Sequence, residues 1–314
     1  MGKIAWVFPG QGAQFPGMCR ELYDEFEEAR RTFEEADDAL GESLSKLCFE
    51  GPREKLTLTV NAQPAILTAS VAAARVLESK GLKPDMVAGL SLGEYTALVI
   101  AGSLSLSDAV VLTRKRGRFM QEACPPGRGG MAAILGLSAA EIEAMCFEAR
   151  SVGVVQPANY NCPGQIVVSG EAAAVAEVSR LARSKGGKAI PLDVSAPFHS
   201  PLIAPAEEKL RRELERVTIR APSIPVYSNV TGETEKTPGE IIENLVKQVT
   251  SPVLWQTSVE AMTRDGAVAF LEVGPGKSLT GFVRKINSNA MAANFISPAE
   301  LGAVLDFHRE ALLR

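Results

Sequence analysis

The sequence predicts an α/β protein. A parallel sheet, covered by helices on both faces, is built from both ends of the chain, and a small βαββαβ unit is inserted between them. Three observations carry this. Short apolar runs alternate with helix-length amphipathic segments up to residue 127 and again after 197, the order that gives parallel strands. Residues 128–196 read strand-helix-strand-strand-helix-strand, the split βαβ or ferredoxin-like arrangement. The composition is that of a folded chain: 314 residues, 46% hydrophobic and 22% charged. That is enough for one large domain or two smaller ones and too apolar for disorder.

The elements follow in order. Lys3–Phe8 is apolar and runs into Pro9-Gly10, a buried strand entering a turn. In 18–40, Leu22, Phe26, Ala29 and Phe33 recur at helical spacing among charges. Leu56 to Ala74 is uncharged but carries Asn61, Gln63 and Pro64. It makes a poor membrane span and reads as a buried or half-buried helix; residues 61–80 look helical and stop at Gly81. A strand at 85–90 leads directly into a helix at 91–101. A second helix, 107–123, ends at Pro125-Pro126-Gly127. Arg128-Gly129-Gly130 reads as a linker. The insert holds strands at 131–136, 153–158, 165–169 and 188–193 and helices at 138–150 and 171–185, the second with Val175, Val178 and Ala182 on one face. Beyond it come helices at 201–217, 239–249, 252–264, 276–286 and 298–313, with strands at 224–228, 267–273 and 291–296.

Several function classes are disfavoured. The net charge is −4, from 33 basic and 37 acidic side chains, which argues against a dedicated nucleic-acid binder. Five cysteines, scattered and with no C-x-x-C pair, read as reduced thiols of a cytoplasmic protein. His199 and His308 are the only histidines, so no metal site is expected. Residues 1–10, MGKIAWVFPG, contain an apolar run too short for a signal peptide.

Three segments carry candidate chemistry. Residues 89–93 read Gly-Leu-Ser-Leu-Gly, between an apolar run and a helical segment. This is the G-x-S-x-G of a nucleophile elbow, where a sharp strand-to-helix turn exposes Ser91; a tight turn whose serine only caps the helix fits the same pattern. A serine needs a base at neutral pH. His308 sits in the terminal helical segment among charges and reads as a surface residue. His199 lies in Ser195-Ala196-Pro197-Phe198-His199-Ser200-Pro201, where two prolines can hold an imidazole in one orientation, as a base or as a packing residue. In Phe8-Pro9-Gly10-Gln11-Gly12 the glycines let backbone approach closely, so the Gln11 N–H can face an oxyanion; an ordinary Gly-rich turn is the plainer alternative.

Taken together, FPGQG, GLSLGEY (Gly89–Tyr95) and the PFHS histidine loop resemble the malonyl-CoA:acyl carrier protein transacylases. The same resemblance extends through Arg116-Gly117 to Gln121, Ala158–Gln165, Gln248 before Pro252-Val253, and Glu272–Gly276. It covers nearly the whole chain and implies a hydrolase-like α/β core (1–127 and 197–314) with a ferredoxin-like subdomain (128–196). It further implies Ser91 as the acylated nucleophile and His199 as its base, with the other ring nitrogen held by a main-chain carbonyl at Gln248. The N–H groups of Gln11 and Leu92 would form the oxyanion hole. Arg116 would grip the malonyl carboxylate, and Asn159 and Asn161 would belong to the cleft wall. Many relatives have His where this chain has Leu90, a change that alters the lining of the acyl site.

The reaction implied is ping-pong transfer from malonyl-CoA, through a malonyl-serine, to the phosphopantetheine thiol of holo-acyl carrier protein, with no metal or redox cofactor. A guanidinium matches a carboxylate with two parallel hydrogen bonds, so acetyl-CoA should be rejected. Phe198 is bulky enough to disfavour a methyl branch. Arg180, Arg183, Lys185 and Lys188, with Lys277, Arg284 and Lys285, are candidates for a basic patch meeting an acidic carrier protein. A polyketide acyltransferase would use the same chemistry. A serine esterase would usually add a carboxylate to the triad and gain nothing from Arg116. A non-catalytic binding protein would have no reason to keep Ser91, His199, Arg116 and Gln11 together. A monomer is expected.

Overall fold

The computed structural model describes residues 2–125 and 127–314; Pro126 of the expected Pro-Pro-Gly stop lies outside them. The chain opens with β1 (Lys3–Phe8), buried at every residue but the first. Four short helices follow, α1 (Arg20–Glu25), α2 (Glu27–Leu40), α3 (Leu44–Glu50) and α4 (Arg53–Thr57), then the long α5 (Thr59–Ser79). The single helical stretch expected at 18–40 is thus two helices. Phe26 adopts extended backbone (φ −120°, ψ 127°), donates its N–H to the Leu22 carbonyl and opens the next helix. The expected uncharged helix is α5, buried along almost its whole length and followed by Gly81 at φ 83°.

The strand–helix turn of G-x-S-x-G lies between β2 (Met86–Gly89) and α6 (Gly93–Ile100). Next is α7 (Leu106–Glu122), whose first turn is capped by the Ser105 hydroxyl accepting from Asp108 N.

The insert comprises β3 (Gly129–Leu135), α8 (Ala139–Ala149), β4 (Val155–Cys162), β5 (Gln165–Glu171), α9 (Ala172–Ser184) and β6 (Lys188–Pro191). Its sheet is antiparallel with order β4-β5-β3-β6, the ferredoxin-like order. Side chains alternate between its faces. Ala132 and Ile134 pack under α8 and α9 with Ile142, Val168 and Val178, while Met131, Ala133 and Val167 join the main core. Gly129 and Gly130 do not form a linker: they begin β3, paired with Glu171 and Gly170. A Cβ at Gly129 would stand 2.4 Å from the Pro197 ring, so the glycine lets the strand cross the histidine loop.

The chain then returns through α10 (Pro205–Leu214), β7 (Val226–Tyr227), β8 (Thr234–Glu235), α11 (Pro238–Lys247), α12 (Trp255–Arg264), β9 (Ala267–Val273), α13 (Ser278–Ile286), β10 (Met291–Phe295) and α14 (Leu301–Leu312). The large sheet has the order β10-β9-β1-β2-β7-β8, parallel except for β8. From β1 the chain winds to β2 on one side and later to β9 on the other. The carboxyl ends of β1, β2 and β9 therefore border a switch point, where open α/β sheets place ligands. Among the described residues no helix is long and apolar enough to cross a membrane.

Candidate active site

Close backbone approach forms the elbow. A Cβ at Gly89 would lie 1.9 Å from the carbonyl carbon of Gly93, and one at Gly93 would lie 2.2 Å from Phe8 O. Only glycines allow α6 to start so near β1 and β2. Between them Ser91 is held at φ 54°, in the left-handed region. Asn229, in the loop after β7, stabilises that turn: its Oδ1 accepts from Ser91 N at 2.6 Å and its Nδ2 donates to Gly89 O at 2.7 Å.

The imidazole arrives from the loop after the insert. His199 is buried, also left-handed (φ 57°), with Nε2 2.8 Å from Ser91 Oγ. Its Nδ1 lies 2.7 Å from the Gln248 carbonyl. A carbonyl only accepts, so Nδ1 carries the proton and Nε2 is left as an acceptor for the serine hydroxyl. Burial, and then the Arg116 cation, push the imidazole pKa down to about 4, against carbonyls of Gln248 and Ser251 that raise it. The resting imidazole is a neutral base at pH 7. Gln156, on β4, donates Nε2 to the carbonyls of His199 (2.9 Å) and Thr250 (2.8 Å), joining the two segments that carry the base and its partner.

Arg116 enters from α7. A Cβ at Gly117 would meet Thr59 O at 2.6 Å, so this glycine lets α7 close on the start of α5. The guanidinium is buried (1% exposed) and donates to Gln63 Oε1 (2.8 Å), Gln248 Oε1 (2.9 Å) and Ser91 Oγ (3.1 Å). It also lies over the Tyr95 ring. None of its hydrogen-bond acceptors is charged, which leaves the cation available to an anionic ligand. Its basic neighbours point elsewhere: Arg114 pairs with Glu42, Lys115 with Glu213, and Arg118 approaches Glu122.

A cavity of about 140 Å³ collects Gln11, Leu90, Ser91, Leu92, Arg116, Asn159, Phe198 and His199. It adjoins a second, of about 310 Å³, that shares Gln11, Leu90 and Asn159 and reaches Asn161, Ser278 and Phe282. The two lie between the insert and the large sheet. The Gln11 and Leu92 N–H groups have no hydrogen-bond partner among the described residues. The Gln11 side chain is tied to Thr59 Oγ1 at 3.0 Å. Asn161 lines only the outer cavity, and half-buried His308 lies on α14, outside both. Four residues escaped sequence reasoning as site residues: Gln63, Glu94, Gln156 and Asn229. The available signals are the place of Glu94 in the GLSLGEY motif and the Ser228-Asn229 pair at the carboxyl end of a parallel strand.

A serine in a forced turn, a neutral imidazole on its hydroxyl, unbonded N–H groups beside it and a buried guanidinium are the parts that suit an acyl-transferring enzyme. Residues 5–301 match the acyl transferase domain family. The malonyl CoA-acyl carrier protein transacylase of Bacillus subtilis is 50% identical over 91% of each chain. A crystal structure of the same enzyme from Clostridium perfringens superposes with a TM-score of 0.96 at 42% identity, covering 99% of this chain and 98% of that one. A malonyl-transacylase in complex with a type II PKS acyl-carrier protein matches with a TM-score of 0.94 at 42% identity over 97% and 99%. The chain belongs to the acyl transferase domain family and, within it, to the malonyl CoA-acyl carrier protein transacylases.

Proposed function

We propose that the protein transfers the malonyl group from malonyl-CoA to the phosphopantetheine thiol of holo-acyl carrier protein, supplying extender units for fatty acid synthesis. The observation that carries this is the convergence of His199 Nε2 (2.8 Å) and Arg116 Nη2 (3.1 Å) on Ser91 Oγ. The serine hydroxyl donates to the imidazole and accepts from the guanidinium. His199 takes the serine proton as Oγ attacks the thioester. The oxyanion meets the N–H groups of Gln11 and Leu92, each worth about 3 kcal/mol in comparable sites. CoA leaves as a thiol, receiving the proton from His199. The carrier thiol then gives its proton to His199 and attacks the ester, and serine is regenerated. Arg116 holds the malonyl carboxylate beside the reacting carbonyl, and Leu90, Phe198, Asn159 and Asn161 line the acyl and pantetheine path. Gln248 orients the histidine.

The chemistry draws on no metal or redox cofactor, because the chain supplies nucleophile, base and oxyanion donors. One chain holds the whole constellation, which supports a monomer. Five unpaired, buried cysteines suit the reducing cytoplasm. A neutral ester would gain nothing from a buried guanidinium, which disfavours esterase activity. Of the basic residues proposed for carrier docking, Arg180 is tied to Glu177, and Arg183 and Arg284 donate to the carbonyls of Ala189 and Ala292. Lys185, Lys188, Lys277 and Lys285 are the better candidates.

The test is malonyl transfer to purified carrier protein in holo and apo forms. Malonyl-holo-carrier should accumulate and apo-carrier should remain unlabelled. Hydrolysis of malonyl-CoA at the same rate without carrier would overturn the reading.

A further inference from the structure

We propose that Glu94 is a positioning residue: its carboxylate fixes, through Asn229 and Gln248, the nucleophile's turn and the orientation of the Arg116 clamp. This rests on the function proposed above. Glu94 is fully buried at the second position of α6, three residues after the nucleophile. A single atom, Oε2, accepts from Asn229 N at 3.0 Å and from Gln248 Nε2 at 2.8 Å. Those two residues touch nearly every working part. The Asn229 side chain holds Ser91 N and Gly89 O. Gln248 donates to Ser91 O at 3.0 Å, accepts from Arg116 Nη2 at 2.9 Å, and lends its main-chain carbonyl to His199.

The chemistry of the amide makes Glu94 directive. Gln248 has one end that donates and one that accepts. With the NH₂ end toward Glu94 and Ser91 O, the oxygen faces the guanidinium and every contact is donor to acceptor. Turned over, NH₂ would meet guanidinium N–H and the oxygen would meet two acceptors. Glu94 Oε2 and Ser91 O together select the first arrangement, and that arrangement holds Arg116 over the serine. Oε2 accepts whether or not the acid is ionised, since a proton can reside on Oε1, which has no partner among the described residues. Burial, above all, raises the pKa of Glu94, and burial with the neighbouring Glu94 charge raises that of buried Glu235.

The role therefore asks for an acceptor, not a charge. Glu94→Gln can present its carbonyl where Oε2 stands; Glu94→Met cannot. The readout is the ratio of Ser91 acylation rates with malonyl-CoA and acetyl-CoA, followed by intact-protein mass. For Glu94→Met we expect malonyl loading to fall roughly 10- to 100-fold, the scale of buried donors left without an acceptor, and the malonyl-to-acetyl ratio to fall with it. Glu94→Gln should restore the ratio to within about threefold of wild type. In an Arg116→Ala background Glu94→Met should leave the ratio unchanged, since the clamp it orients is gone. Gln248→Met cuts the same relay one residue nearer the clamp and should lose the ratio equally, which keeps the test decisive if Glu94→Met does not fold. A folded Glu94→Met or Gln248→Met with the wild-type ratio, or a Glu94→Gln as poor as Glu94→Met, overturns the proposal. No malonyl adduct on the wild type would instead overturn the reading of function.

Discussion

Lowering the pH from 7.5 to 5 should leave acylation of Ser91 almost unchanged. An imidazole with the ordinary pKa of about 6.5 would be almost fully protonated at pH 5, and a base of that kind would lose roughly 30-fold in rate. His199 is different because burial and the Arg116 cation depress its pKa to about 4. At pH 5 about nine-tenths of it remains neutral on that value, and less than a twofold loss is expected. The assay is kcat/KM for malonyl-CoA, from rapid-quench intact mass, between pH 5 and 8; this quantity reports the free enzyme. The same shift acts on stability. Between 6.5 and 4 the unfolded chain binds a proton that the native imidazole refuses, so this contribution is full above pH 6.5 and is lost as the pH falls towards 4. A shift of this size corresponds to about 3 kcal/mol. His199→Ala should remove that segment of the pH dependence from urea unfolding. An acid limb in kcat/KM centred near 6.5 would overturn this expectation, because the imidazole would then be solvated and not enclosed as its contacts require.

Other outcomes follow from the same contacts. On the proposed role of Arg116, Arg116→Ala would remove two charge-assisted bonds to a malonyl carboxylate, about 3–6 kcal/mol, so malonyl-CoA acylation should fall roughly 10²- to 10⁴-fold while acetyl-CoA acylation changes far less; equal losses on both thioesters would argue against the clamp. Asn229→Ala leaves Ser91 N–H and Gly89 O unpaired and should cost about 1–3 kcal/mol in urea unfolding, with slower acylation by malonyl-CoA. Gly93→Ala drives a methyl group into Phe8 O and should cost roughly 1–3 kcal/mol and abolish acylation, by the same two assays. Phe198→Ala should raise the rate with methylmalonyl-CoA relative to malonyl-CoA, measured in competition; an unchanged ratio would remove Phe198 from the acyl wall.

What the sequence could and could not show has physical causes. The elbow was legible because glycine is the only residue that fits at 89 and 93, and the histidine loop because two prolines bracket it. The alternating order of apolar strands and amphipathic helices gave both sheets. The break at Phe26 was not legible, since neither glycine nor proline marks it and its geometry is set by the helices on either side. The short helices between 44 and 57 and the two-residue β8 offered too little periodicity. Gly129 and Gly130 suggested a linker because glycine in a strand and glycine in a loop look alike until the Pro197 ring is seen against Gly129. Gln63, Glu94, Gln156 and Asn229 are polar residues whose partners lie far off in sequence. Glu94 reaches Gln248 and Gln156 reaches His199; the buried stretch around Gln63 and the elbow motif around Glu94 mark where those two lie but not which groups they meet.

The most direct measurement is the intact mass of the wild type and of Ser91→Ala after mixing with malonyl-CoA and then with holo-acyl carrier protein. Transfer through Ser91 requires a malonyl-sized gain on the wild type alone, small with acetyl-CoA, and cleared when the carrier is added with the gain appearing on the carrier. A malonyl adduct on Ser91→Ala, or a wild-type adduct that the carrier does not clear, would contradict it.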